Sequence, residues 1–177
     1  MSGGGFAAFR AALEAGRGQI LVRERVADLD TPVGAFLKLT GGAQANAFLL
    51  ESIEGGAARG RYSAIGMAPD LIWRCRNGKA EINRHALSAP HGFVPVAGNA
   101  LESLRATINE CRMAVPAGLP PIAAGLFGYL GYDLVRLIEK LPSTNPDVLG
   151  IPDAVMTRPT LMAVFDHVRD TLMLCAP

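Results

Sequence analysis

In the stretch FLLESIEGGAARGRYSAIG, residues 48–66, the side chains suited to chemistry crowd around one turn. Alternate side chains of a regular strand share a face, so Phe48, Leu50 and Ser52 point one way and Leu49 and Glu51 the other. A serine between apolar neighbours needs a partner for its hydroxyl once that face is buried, and backbone, water or a small polar ligand can supply it. Arg59 and Arg61 return on the following strand and bring fixed positive charge to the same edge. An apolar wall, a hydroxyl, a guanidinium for a carboxylate, and Glu51 or main-chain carbonyls for an ammonium together make a pocket for an amino acid. Spacing leaves an alternative open: a hairpin whose serine bonds its own loop and whose arginines are solvated.

Other constellations are thin. The histidines are His85, His91 and His167. None has cysteine neighbours, HExxH spacing or a GxSxG serine to activate, which predicts surface or loop positions. Asp28 with Asp30, and Asp147 with Asp153, are carboxylate pairs of the kind solvated loops carry. The glycines of GLFGYLGYD lack both the GxGxxG order and the lysine of a phosphate loop, so close approach of another backbone, or a bulge, is the expectation there. No catalytic residue and no metal-ligand set is assigned.

Half of the 177 residues are hydrophobic, enough to bury a sizeable core. Seventeen basic against sixteen acidic side chains leave a net charge of +1, which supplies no electrostatic footprint for nucleic acid. Cys75, Cys111 and Cys175 stand apart without CxxC spacing and suit three buried thiols in a reducing cytoplasm. The uncharged run from Met113 to Tyr132 is long enough to nominate a membrane span. Pro116, Pro120 and Pro121 and the glycines that follow break any helix there, so a proline-rich turn entering a buried strand is expected, with no membrane partner.

Several elements must hold these residues in place. Phe6, Phe9 and Leu13 have helical spacing ended by Gly16 and Gly18. QILVRERVAD, residues 19–28, reads as a strand. Thr31 followed by Pro32 reads as an N-cap with proline in the first turn of a helix that Gly41 and Gly42 end. NAFLLES is a strand, as is RYSAIG. After Pro69, DLIWRCR alternates, and Asn77-Gly78 turns it into KAEINR as a hairpin. Asn99 and Glu102 form a capping box for a helix over 99–115, with Leu101, Leu104, Ile108, Cys111 and Val115 as its apolar stripe. IAAGLFGYLGYD reads as a strand running into a short helix stopped by Pro142. RPTLMAVFD and TLMLC flank a polar turn. The sum is an α+β fold, helices packed on a largely antiparallel sheet. TLMLCAP ends within an apolar strand, which predicts that the fold continues past Pro177, as in a fragment.

The segments LLES, RYSAIG, GLFGYLGYDLVR and PD...RPTLMAVFDH closely resemble, in the same order, the N-terminal region of anthranilate synthase component I, from about residue 20 to the end. The resemblance implies the N-terminal portion, here residues 1–177, of a larger two-layer sandwich enzyme, with the chorismate-binding catalytic domain lying downstream. That enzyme converts chorismate and an amino group to anthranilate and pyruvate with Mg2+, and a glutamine amidotransferase subunit releases the ammonia from glutamine. In the family this region contributes half of the site at which tryptophan inhibits. Carried over, the effector residues are Leu50, Glu51, Ser52 and Arg61, and the chain alone is expected to be catalytically silent. The sister enzyme aminodeoxychorismate synthase component I shares the framework, and a free-standing amino-acid-binding module is the reading of a different class.

Overall fold

The computed structural model describes residues 3–16, 18–42, 44–51, 60–142 and 146–177. The chain forms two compact units, Met1–Ala68 with Met113–Gly125 and Pro159–Pro177, and Pro69–Arg112 with Leu126–Arg158. In chain order the elements are α1 (Gly3–Glu14), β1 (Leu21–Val26), α2 (Pro32–Thr40), β2 (Phe48–Leu50), β3 (Tyr62–Arg76), β4 (Lys79–Asn83), β5 (Val94–Pro95), α3 (Ala100–Glu110), β6 (Phe127–Leu130), β7 (Ala154–Asp166) and β8 (Thr171–Ala176). Short 3-10 turns occupy Pro121–Ala123 and Tyr132–Leu137. The sheet pairings are antiparallel, as the α+β reading expects.

In the first unit the strands lie in the order β1, β8, β7, β3, β2, using the end of β7 and the start of β3. Thr31 caps α2 by accepting from Gly34 N–H at 3.0 Å, Pro32 starts the helix, and Gly41 leaves it at φ 60°. The helix lays Ala35 against Ile65, Met67, Ala163 and Phe165, with Phe36 and Leu49 alongside. A side chain at Gly66 would run into the Phe48 ring, so glycine is what lets that ring cross β3.

In the second unit the order is β6, β7, β3, β4, β5, using the other halves of the two long strands. Asn77 (φ 49°) and Gly78 (φ 71°) make the expected tight turn, and Arg76 pairs with Lys79 across it. Asp153 supports that turn by accepting from Gly78 N–H at 3.2 Å. Leu71, Trp73, Cys75, Ala80 and Ile82 meet Ala100 and Leu104 of α3 in the core.

The structure departs from the sequence reading at four places. β3 does not break at Pro69. Ala68 takes φ 50° and its carbonyl accepts from Thr160 Oγ1 at 2.7 Å, a bulge-like kink that carries the strand through the proline. α3 ends at Glu110 rather than at residue 115, with Cys111 as its C-cap, its N–H donating back to the Thr107 carbonyl. Of the expected stripe Leu104 is buried and Leu101 and Cys111 pack beside it, but Ala100, Ser103 and Thr107 complete the buried face and Ile108 stays 42 % exposed, because the fully buried Trp73 needs an acceptor and Ser103 Oγ supplies it at 2.8 Å. Finally, IAAGLFGYLGYD is strand only over Phe127–Leu130, and Gly128, Tyr129 and Leu130 are exposed rather than buried. The close-approach reading of its glycines holds: a Cβ on Gly128 would collide with the Val155 carbonyl, and one on Gly131 would lie 2.7 Å from the Asp153 carbonyl. Cys75 and Cys175 are buried and Cys111 is half-buried, all as free thiols.

Candidate functional site

Of the residues singled out in the sequence, Leu50, Glu51 and Arg61 are described, and Ser52 and Arg59 lie outside the described residues. Leu50 ends β2 opposite Ala64 and is 48 % exposed, and Glu51 follows it, also exposed. Arg61 stands immediately before β3. Strand alternation puts Tyr62 on the face shared by Ala64 and its partner Leu50. The Arg61 guanidinium lies over the Tyr62 ring, 4.9 Å from its centroid, and so comes to that face of the hairpin mouth.

The same guanidinium is held by a residue that sequence reasoning did not single out. Arg61 Nε donates to Asp166 Oδ1 at 2.9 Å and Nη2 to Oδ2 at 2.6 Å, a two-point ion pair. The Asp166 side chain is 2 % exposed and that of Arg61 34 %. Val168 N–H donates to Asp166 Oδ1 at 3.1 Å, and His167 N–H donates to the Arg61 carbonyl at 2.9 Å. The turn after β7 therefore grips both the backbone and the side chain of Arg61. The two hydrogen bonds from Arg61 hold the Asp166 carboxyl below the usual aspartate range against the opposing effect of burial, and the guanidinium is correspondingly harder to deprotonate.

On the other face, Ser63 Oγ lies 2.8 Å from His167 Nε2, and the His167 ring stacks at 6.4 Å on Phe165. A serine–histidine contact invites comparison with a nucleophile and base. Ser63 is fully buried, and the neighbouring carboxylate, Asp166, spends its oxygens on Arg61 and Val168. The arrangement suits holding the strand ends together, not attack on a substrate. Only the FDH triplet inside RPTLMAVFDH hinted at Asp166 and His167, and nothing in a sequence pairs residue 61 with residue 166.

In the second unit a groove of about 910 Å³ opens beside Gly78, Tyr129, Tyr132 and Asp153. Its carboxylates are committed locally: Asp133 to Arg136 at 2.7 Å, Asp147 to Gly150 N–H at 2.9 Å and Asp153 to Gly78 N–H. Among the described residues no three His, Cys, Asp or Glu side chains gather closely enough to hold a metal ion, so no step through magnesium is assigned to them. No helix among them is long and apolar enough to cross a membrane.

No protein-family model matches the chain. Over 172 residues, 97 % of its length, it is 52 % identical to anthranilate synthase component 1 of Cereibacter sphaeroides, of which that stretch is 34 %. The chain is a homologue of anthranilate synthase component I. Further relatives of that name agree: it is 38 % identical to the Mycolicibacterium smegmatis protein over 95 % of this chain and 31 % of that one. Against the Thermus thermophilus protein it is 38 % identical over 86 % and 30 % of the respective chains. The crystal structure of anthranilate synthase component I from Streptococcus pneumoniae TIGR4 superimposes with a TM-score of 0.53 at 23 % identity, over 84 % of this chain and 30 % of that one, which supports the fold alone. The chain spans about a third of the length of these anthranilate synthase relatives. Of the four segments that carry the resemblance, Leu49 and Leu50 of LLES close β2, RYSAIG opens β3, GLFGYLGYDLVR covers β6 and most of the 3-10 turn after it, and RPTLMAVFDH ends β7.

Proposed function

We propose that residues 1–177 form the N-terminal, effector-binding portion of an anthranilate synthase component I, the enzyme that makes anthranilate and pyruvate from chorismate. The observation that carries this reading is 52 % identity along nearly the whole chain to a protein of that name. In the complete enzyme a glutamine amidotransferase subunit supplies ammonia, Mg2+ assists at the downstream chorismate site, and this portion by itself is catalytically inactive. Tryptophan, as inhibitor, occupies the mouth of the β2–β3 hairpin, with Leu50 as apolar wall, Ser52 and Glu51 on its polar groups and Arg61 on its carboxylate. By favouring a low-activity arrangement that it binds more tightly, tryptophan lowers the rate without touching the reacting atoms.

Two observations support the placement: Leu50 and the Arg61 guanidinium share one face of the hairpin, and that guanidinium is partly exposed. The test is a tryptophan dose–response on the complete enzyme, each variant normalised to its own uninhibited rate. Ser52→Ala and Arg61→Ala each raise the half-inhibitory concentration roughly tenfold to a hundredfold, the worth of a hydrogen bond to a charged group. Identical curves for wild type and both variants would remove the effector assignment. Identification of the product, anthranilate or aminodeoxychorismate, separates this enzyme from its sister.

A further inference from the structure

Arginine side chains leaving the end of a strand have many rotamers open to them, and a guanidinium selects a carboxylate well only when its plane is already set. Arg61 has that plane set twice. Asp166 takes Nε and Nη2 along one edge of the fork, and the Tyr62 ring lies below it at 4.9 Å. Asp166 is itself immobilised: its side chain is 2 % exposed and accepts from Val168 N–H, with Arg169 Nε 4.0 Å from its other oxygen. Among the described residues Nη1 of Arg61 meets no acceptor. The clamp thus leaves one N–H edge of a rigid cation turned away from Asp166, on a side chain that is 34 % exposed.

We propose that Asp166 is a positioning residue for effector recognition: by gripping one edge of Arg61 it aims the remaining edge at the carboxylate of an amino-acid effector. This rests on the effector reading given above. Two opposing effects are at stake. Asp166 orients the guanidinium, and it also neutralises part of the charge an incoming carboxylate would meet. The proposal states that orientation dominates, because a fork already locked in place loses little freedom when a ligand docks.

The experiment compares inhibition of the complete enzyme by L-tryptophan and by L-tryptophanamide, which keeps the indole and ammonium but lacks the carboxylate charge. In the wild type the acid inhibits at lower concentration than the amide. Asp166→Asn narrows that preference roughly tenfold, the worth of one charge-assisted hydrogen bond, and moves the amide curve little, whereas loss of a purely structural support would shift both curves together. A preference that is unchanged or widened in Asp166→Asn overturns the proposal, the widened case making Asp166 a competitor for Arg61. Arg61→Ala keeps the two levels apart. If it abolishes the preference while Asp166→Asn preserves it, this inference alone falls. If Arg61→Ala leaves the preference intact, or tryptophan does not inhibit the wild type, the effector reading falls and takes the inference with it. Should Asp166→Asn fail to fold, Arg61→Lys decides: an ammonium cannot span both Asp166 oxygens and still present an N–H edge, so the preference narrows, and its full retention overturns the proposal.

Discussion

Arg61 and Asp166 share a two-point ion pair across 105 residues of chain, and the two partners are buried to very different degrees, the arginine side chain 34 % exposed and the aspartate 2 %. Their deletions are therefore unequal. Arg61→Ala strands a carboxylate inside the fold, whereas Asp166→Ala leaves a guanidinium that can reach water. The expected loss of stability from Arg61→Ala is at least about twice that from Asp166→Ala. Urea unfolding of the two variants checks this, and equal losses would mean that Asp166 is better solvated than its position indicates.

The same pair sets an acid limit. Asp166 has a folded-state pKa depressed by its bonds from Arg61, so it binds its proton more readily in the unfolded chain. Its contribution is complete above the ordinary aspartate value of about 3.9 and drains away as pH falls through the lower folded value. Unfolding free energies measured from pH 6 downward should show wild type and Asp166→Asn separated by a constant gap at the upper end. That gap closes only in strong acid. A gap that grows on acidification contradicts the sign.

Trp73 offers a third test, since it is the single tryptophan of the chain and is fully buried. Ser103→Ala removes the acceptor of its indole N–H and costs about 1–3 kcal/mol. For a chain of this size that lowers Tm by about 2–4 °C per kcal/mol. Ile108, 42 % exposed at the margin of the buried face of α3, is expected to tolerate alanine within about 0.5 kcal/mol. Thermal unfolding followed by the fluorescence of Trp73 measures the first directly. If Ile108→Ala proved the costlier change, the inward face of α3 would be the one through Ile108.

Glycines 128 and 18 should part company on substitution. A Cβ at Gly128 meets the main-chain carbonyl of Val155, which cannot swing aside without breaking the β6–β7 pairing, so Gly128→Ala costs roughly 1–3 kcal/mol. A Cβ at Gly18 meets the flexible end of Met113, 3.1 Å away, which can move, and the loss there is small. Amide hydrogen exchange of Tyr129 and Leu130 should quicken in Gly128→Ala and stay put in Gly18→Ala.

Where local chemistry governs, the chain was readable. Thr31-Pro32 starts a helix because a hydroxyl and a preset φ satisfy its first turn, and Asn77-Gly78 reverses a strand because both residues accept positive φ. The homology to anthranilate synthase component I was likewise visible in ordered motifs. Around α3 the pattern was right in part: Leu101, Leu104 and Cys111 pack inward as the apolar periodicity expects, but a buried indole on a distant strand demanded the hydroxyl of Ser103, and the helix is turned so that Ile108 stays partly exposed. Proline at position 69 looked like a strand end because a proline cannot donate, and only the carbonyl of Ala68 meeting Thr160 shows how β3 passes through it.

For the candidate site the division is sharper. The amino-acid order by itself determined that an apolar strand would deliver Leu50 and Glu51 to a turn and that an arginine would follow, since strand alternation and turn residues act over a few positions. It could not determine what the arginine would face. Tertiary structure brought Asp166 from the far end of the chain to neutralise and orient it, because a charge entering a partly dry environment is settled by whichever counter-charge folding places within hydrogen-bond reach.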